Sequence, residues 1–138
     1  MSETIEIAHR DVKTAIGRGA LAKCPNCGRG RLFAGFLSVT ESCGACGERL
    51  HHHRADDAPA YLTILIVGHL MLPFVLGVEE IYTPPIWVHL LLWGTLIPAA
   101  CLAFLRPIKG AVVGMQWATF MHGFGGEVEG VSSAPSAP

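Results

Sequence analysis

Charge is scarce in this 138-residue chain, with Asp, Glu, Lys and Arg making up 15% of it against 51% hydrophobic residues. It is also unevenly placed, because no lysine or arginine occurs from position 55 to position 105. An average soluble domain carries about 25% charged residues spread over its surface, so one water-soluble globule is excluded. Aromatic residues are few, and no basic stripe interleaves with them, which argues against a nucleic-acid surface. Residues 1–54 hold eight Lys/Arg against five acids, a balance of +3, and the whole chain stands at −1. Residues 1–22 lack the apolar core and small-residue cleavage site of a secretory signal, so the polar head is expected to stay on the side where it is made. No nucleophile sits beside a base and no phosphate loop is present, so no enzyme is expected.

What is present falls into two halves. Mean hydropathy is +0.42, and most of the apolar residues lie after position 57. Residues 58–78 form a 21-residue stretch without a charged side chain. At 1.5 Å per residue that is about 31 Å of helix, one hydrocarbon core. Asp56 and Asp57 precede it, and Pro59 suits a first helical turn. Residues 86–105 form a second uncharged stretch, bounded by Pro84-Pro85 and Arg106-Pro107. The short connection 79–85 makes the two an antiparallel hairpin. It carries Glu79 and Glu80 but no cation, whereas eight cations precede the first span and Arg106 and Lys109 follow the second. By the positive-inside rule both termini face the cytosol and the loop lies outside.

Segment 106–124 is apolar but too short to cross. Val113, Trp117, Phe120 and Phe124 recur at helical spacing, which predicts a helix lying in the cytosolic interface, although its many glycines weaken helix. The tail 125–138 is small, polar and proline-containing, and reads as disordered.

The chemistry lies in the head. Cys24-Pro25-Asn26-Cys27-Gly28 and Cys43-Gly44-Ala45-Cys46-Gly47 are two CxxC knuckles separated by 15 residues, the spacing of a zinc ribbon over 23–50. Each knuckle offers two thiolates to adjacent corners of a tetrahedron. Gly28 and Gly47 let the backbone turn so that amides face sulfur, and Gly35 bends a short hairpin between the knuckles. Two disulfides would need an oxidising compartment. Iron on the same four sulfurs is the stronger rival to zinc. Four protein ligands close the coordination sphere, so the metal is structural, and so small a ribbon depends on it to fold.

Other candidates are weaker. His51, His52 and His53 form a juxtamembrane linker (51–57) that reads as solvated. His69 lies near mid-span, where it needs a partner, and Thr95 is the residue facing it by register. His89 lies near the outer interface. Pro73 and Pro98 are expected to kink the spans, and Cys101 reads as a packing residue.

The order CPNCGRGRLFAGFL, CGACG, DDAPAYLTILIVGHL, EEIYTPPIWVHLLLW and LRPIKG resembles an uncharacterised family of short bacterial membrane proteins, domain of unknown function family 983. One departure is Ala55-Asp56-Asp57-Ala58, where family members often have Gly beside Asp. The resemblance implies the bacterial cytoplasmic membrane and a role around cytochrome c oxidase or a respiratory supercomplex. The combined expectation is an all-α two-helix membrane hairpin with an N-terminal β zinc ribbon and a C-terminal interfacial helix. It would be a non-enzymatic accessory or assembly protein whose ribbon docks a membrane-protein partner or another copy. The alternative is a haem or copper handling factor using His69 and His89, with Met71 or Met121.

Overall fold

The computed structural model describes residues 10–51 and 57–121. Four expectations therefore lie outside the described residues: the tail 125–138, Phe124 at the end of the segment 106–124, His52 and His53 of the histidine run, and Asp56. The described chain folds as α1 (Val12–Ala20), a metal-ribbon segment, α2 (Ala58–Tyr82) and α3 (Ile86–Ala118).

α1 falls within a segment read from sequence only as polar. Asp11 caps it by accepting from the Lys13 amide at 3.1 Å and from the Thr14 hydroxyl. The Thr14 bond holds the Asp11 carboxyl below its ordinary range. At the other end Ala22 takes a left-handed φ of 60°, and the Lys23 amide bonds back to the Arg18 carbonyl at 2.9 Å, which turns the chain into the ribbon.

The ribbon contains no extended strand among its described residues. Three isolated antiparallel bridges hold it: Lys23 with Arg31, Phe33 with Val39, and Ser42 with Arg49. The Phe33–Val39 bridge and the Ala34 amide on the Ser38 carbonyl (2.7 Å) form the small hairpin expected around Gly35.

α2 and α3 are 25 and 33 residues long, with apolar windows of mean hydropathy 2.1 and 2.0. Both are long and apolar enough to cross a bilayer. Their apolar windows are also nearly uncovered: 11% of that in α2 and none of that in α3 is buried. The helices reach further than the sequence reading gave them. α2 continues past Val78 to Tyr82, so the loop expected at 79–85 narrows to residues 83–85. Thr83 ends the helix in a left-handed cap (φ 40°), its amide on the Glu79 carbonyl at 3.1 Å, and Pro84-Pro85 cannot continue it.

The larger correction concerns 106–124. It is helical, as expected, as far as Ala118, but it is not a separate helix turned into the interface. α3 continues through Arg106-Pro107 without ending. Proline removes one helical hydrogen bond, and tertiary packing compensates. Gly110, Val113, Gly114 and Trp117 are buried against α1 and the ribbon in a core that includes Ala15, Leu32, Phe33 and Leu50. Full burial of one such aliphatic side chain contributes about 1.5–3 kcal/mol. Trp117 is therefore packed in protein, with Arg10 stacked on its ring at 4.1 Å and donating to its carbonyl at 2.7 Å.

Contact between α1 and α3 is made by small residues. Gly19 meets Gly110, and Ala15 meets Gly114, at backbone-to-backbone distance. Both pairs recur at a spacing of four, the arrangement that lets two helices approach closely.

Candidate metal centre

Each CxxC knuckle is a one-turn loop with the same wiring. The Gly28 amide returns to the Cys24 carbonyl and the Gly47 amide to the Cys43 carbonyl, both at 2.9 Å. Both glycines have positive φ, 69° and 75°, which a side chain would strain. The Arg29 amide points at Cys27 Sγ and the Ala45 amide at Cys43 Sγ, each at 3.4 Å. These are the sulfur-facing amides that the sequence led us to expect.

The two loops bring the four sulfurs together. All four Sγ atoms lie within 4.8 Å of one another, with Cys24–Cys46 and Cys27–Cys43 each at 3.7 Å. A regular tetrahedron with 2.3 Å metal–sulfur bonds has edges of about 3.8 Å, so the donor set fits a zinc-sized ion. A disulfide bond is about 2.05 Å, and all five cysteines of the chain are free thiols in the structure. Cys24 and Cys43 are buried, Cys27 is partly exposed and Cys46 is exposed.

The sulfurs sit in unequal surroundings. Burial pushes the Cys24 thiol up to about 12. Amides of Gly30 and Arg29 pull Cys27 down to about 6. For Cys43, burial acts upward, but the amides of Cys46 and Ala45 and the neighbouring thiols outweigh it and leave the thiol lowered. Cys46 is raised, mainly by burial. Four thiolates this close need a cation between them.

Several supporting residues were not singled out from the sequence. Gly30 abuts the site so tightly that a β-carbon there would stand 2.1 Å from Cys43 Sγ. The Asn26 amide group bridges the knuckles, donating to Cys46 Sγ at 3.7 Å and to Glu48 Oε2 at 3.4 Å. Arg18 of α1 lies over Gly28 and donates to the Asn26 carbonyl at 2.8 Å and the Pro25 carbonyl at 3.3 Å. Lys109 of α3 holds the opposite end of the ribbon through the Leu37 carbonyl at 2.7 Å.

No histidine among the described residues joins this centre. Among the described residues, the four cysteines form the only cluster of three or more possible metal ligands. His69 does not bond to Thr95 as the register suggested. Its Nδ1 meets the Leu65 carbonyl at 2.8 Å, while the Thr95 hydroxyl donates to the Leu91 carbonyl at 2.8 Å. Each finds its acceptor one turn back along its own helix. His89 is held between Glu79 Oε2 (2.8 Å) and the Trp93 indole N–H (3.0 Å). Cys101 lines a small apolar recess of about 130 Å³ with Thr63, Ile64 and Leu105, in keeping with a packing role.

Comparison with known families matches residues 33–117 to the family described as protein of unknown function, DUF983. That span covers well over half of the chain. The chain belongs to this family. The match takes in the second knuckle, α2 and α3 up to Trp117, but begins after Cys24 and Cys27; the structure brings those two cysteines to the family's portion of the chain. Comparisons with curated proteins and with solved structures gave no match.

Proposed function

We propose that this DUF983 protein is a two-span membrane protein whose Cys24, Cys27, Cys43 and Cys46 hold a structural zinc ion. On this reading its metal-stiffened head, facing the cytosol of a bacterium, docks a membrane-protein partner without catalysis. The observation that carries it is the shared core. Ribbon, α1 and the end of α3 pack together around two of the metal-facing cysteines, Cys24 and Cys43. Folding of the head and its fixation on a candidate membrane helix are thereby one event.

Two further features support the reading. The long helices expose an apolar surface with little covering in the chain, which suits lipid or another protein's helices rather than water. The four-sulfur set leaves no open ligand position for substrate, and bound zinc would supply cross-linking charge neutralisation rather than a reactive centre. The family resemblance points to cytochrome c oxidase subunits or their assembly factors as the partner class.

The experiment is one mild-detergent preparation of tagged full-length protein from native membranes. Metal analysis should give one zinc per chain, and the co-purifying set should contain an oxidase subunit or assembly factor. Iron in place of zinc would overturn the metal assignment, and a preparation free of respiratory subunits would overturn the partner assignment.

A further inference from the structure

A second cleft lies where the ribbon meets α3. It is an open recess of about 520 Å³, lined by Lys23, Arg29, Arg31 and Arg106 together with Phe33 and Gly35. No acidic side chain lines it. The recess at the ribbon's α1 side differs, because Arg10 and Arg18 there are balanced by Asp11 and Glu48. Among the described residues none of the four cleft cations forms an ion pair, and Arg106 is engaged only over the Phe33 ring at 5.4 Å.

The local fold concentrates this charge against its own electrostatics. Lys23 and Arg31 oppose each other across an antiparallel bridge. Opposed residues project to the same face, and like charges there are destabilising unless an anion sits between them. Arg29 follows the first knuckle, and Arg106 approaches from α3.

Depth decides which anion. Arg106 is the first charged residue of α3 after Ile86, twenty positions along, about 30 Å at helical rise. That is one hydrocarbon thickness, so the cleft opens at the level of the lipid phosphates. Lys109, one turn further on, pins the Leu37 carbonyl. The ribbon hairpin is thereby held at the same level, with Phe36 half exposed at its tip and Leu21, which lines the cleft, 71% exposed. Cations flanked by exposed apolar side chains match a phosphodiester headgroup with its acyl chains beside it.

We propose that Lys23, Arg29, Arg31 and Arg106 form a binding site for the phosphodiester headgroup of an anionic phospholipid in the leaflet facing the ribbon. The site seats the ribbon on the membrane surface. The depth argument rests on the two-span reading, which carbonate extraction of membranes tests separately.

The test is native mass spectrometry of full-length, zinc-loaded protein exchanged into mixed micelles with phosphatidylglycerol or phosphatidylcholine of identical chains. Phosphatidylglycerol should be retained at least fivefold better. Arg31→Gln and Arg106→Gln should each reduce that retention by about fivefold, the change expected for one cation near an anionic surface, while Lys13→Gln on α1 leaves it unchanged. Zinc content of the same samples reports whether each variant has folded; where a variant loses zinc, the wild-type lipid comparison decides. Equal retention of the two lipids, or undiminished retention by zinc-loaded variants, overturns the proposal. Displacement of phosphatidylglycerol by millimolar inorganic phosphate would also overturn it, reassigning the cleft to a soluble phosphate ligand. Loss of the protein on carbonate extraction would sink the spanning reading instead, whereas lipid indifference in a carbonate-resistant protein would sink only the headgroup site.

Discussion

Gly19 and Gly110 press backbone to backbone: a β-carbon on Gly19 would lie 2.0 Å from the Gly110 carbonyl oxygen, and one on Gly110 would lie 1.9 Å from that of Gly19. Neither oxygen can swing aside, since each belongs to a helix. Gly19→Ala and Gly110→Ala should therefore force α1 from α3, at a cost of about 1–3 kcal/mol or more. Gly17→Ala, on the same helix with nothing within 4 Å, should instead stabilise α1 by up to about 1 kcal/mol. Thermal melts of the zinc-loaded protein, compared across these variants, check the contrast. Equal melting temperatures for Gly17→Ala and Gly19→Ala would refute the crossing.

Zinc loading should report the geometry of the knuckles. Cys24→Ser and Cys46→Ser each remove a ligand and should abolish stoichiometric zinc. Gly30→Ala keeps all four ligands but sets a methyl group 2.1 Å from Cys43 Sγ. It should therefore bind zinc more weakly while the far-ultraviolet signal of α2 and α3 persists. Competition with a chromophoric chelator measures both effects.

Acid should release the ion. The Cys24 thiol, held up at about 12 by burial, keeps its proton at any working pH until a cation displaces it. Zinc binding therefore releases protons, and apparent affinity should fall as pH falls and rise as pH rises. Proton release on titrating zinc into weakly buffered apoprotein gives the sign directly.

Arg18 joins α1 to the first knuckle through the Asn26 and Pro25 carbonyls. Arg18→Ala should leave one zinc per chain but speed its loss to chelator, with about 1–2 kcal/mol of stability removed. Arg18→Lys should recover little, because an ammonium cannot reproduce the guanidinium fork over two carbonyls.

At the far end of the hairpin, Trp93 fixes the protonation pattern of His89. An indole nitrogen can only donate, so His89 Nδ1 accepts and Nε2–H donates to Glu79. Nitrogen NMR of ring-labelled protein in micelles should find the Nε2–H tautomer, and Trp93→Phe should release that preference.

These features differ in how legible they were from sequence. The knuckles were readable because Cys spacing and the following glycines are local requirements. The helical spans were equally plain, since twenty uncharged residues have few other uses. The α1–α3 crossing was not, because Gly110 and Gly114 lower helix propensity and their value lies in what they let approach. The Ala15–Gly19 and Gly110–Gly114 spacings were the available signal. Pro107 misled for a related reason: it marks a local break that burial of Val113 and Trp117 overrides. His69 and Thr95 were assigned to each other by register, yet a carbonyl one turn back was nearer for each.

The unbroken course of α3 turns the head into the end of a lever. Thirteen residues beyond Leu105 remain in the helix, about 20 Å of stiff rod at 1.5 Å per residue. Tilting the rod by roughly 10° would sweep its far end, and the ribbon packed on it, through about 3–4 Å. Anything that leans α3, whether bilayer thickness or a neighbouring helix, is thus converted into lateral displacement of the ribbon, and a load on the ribbon is felt as torque within the span.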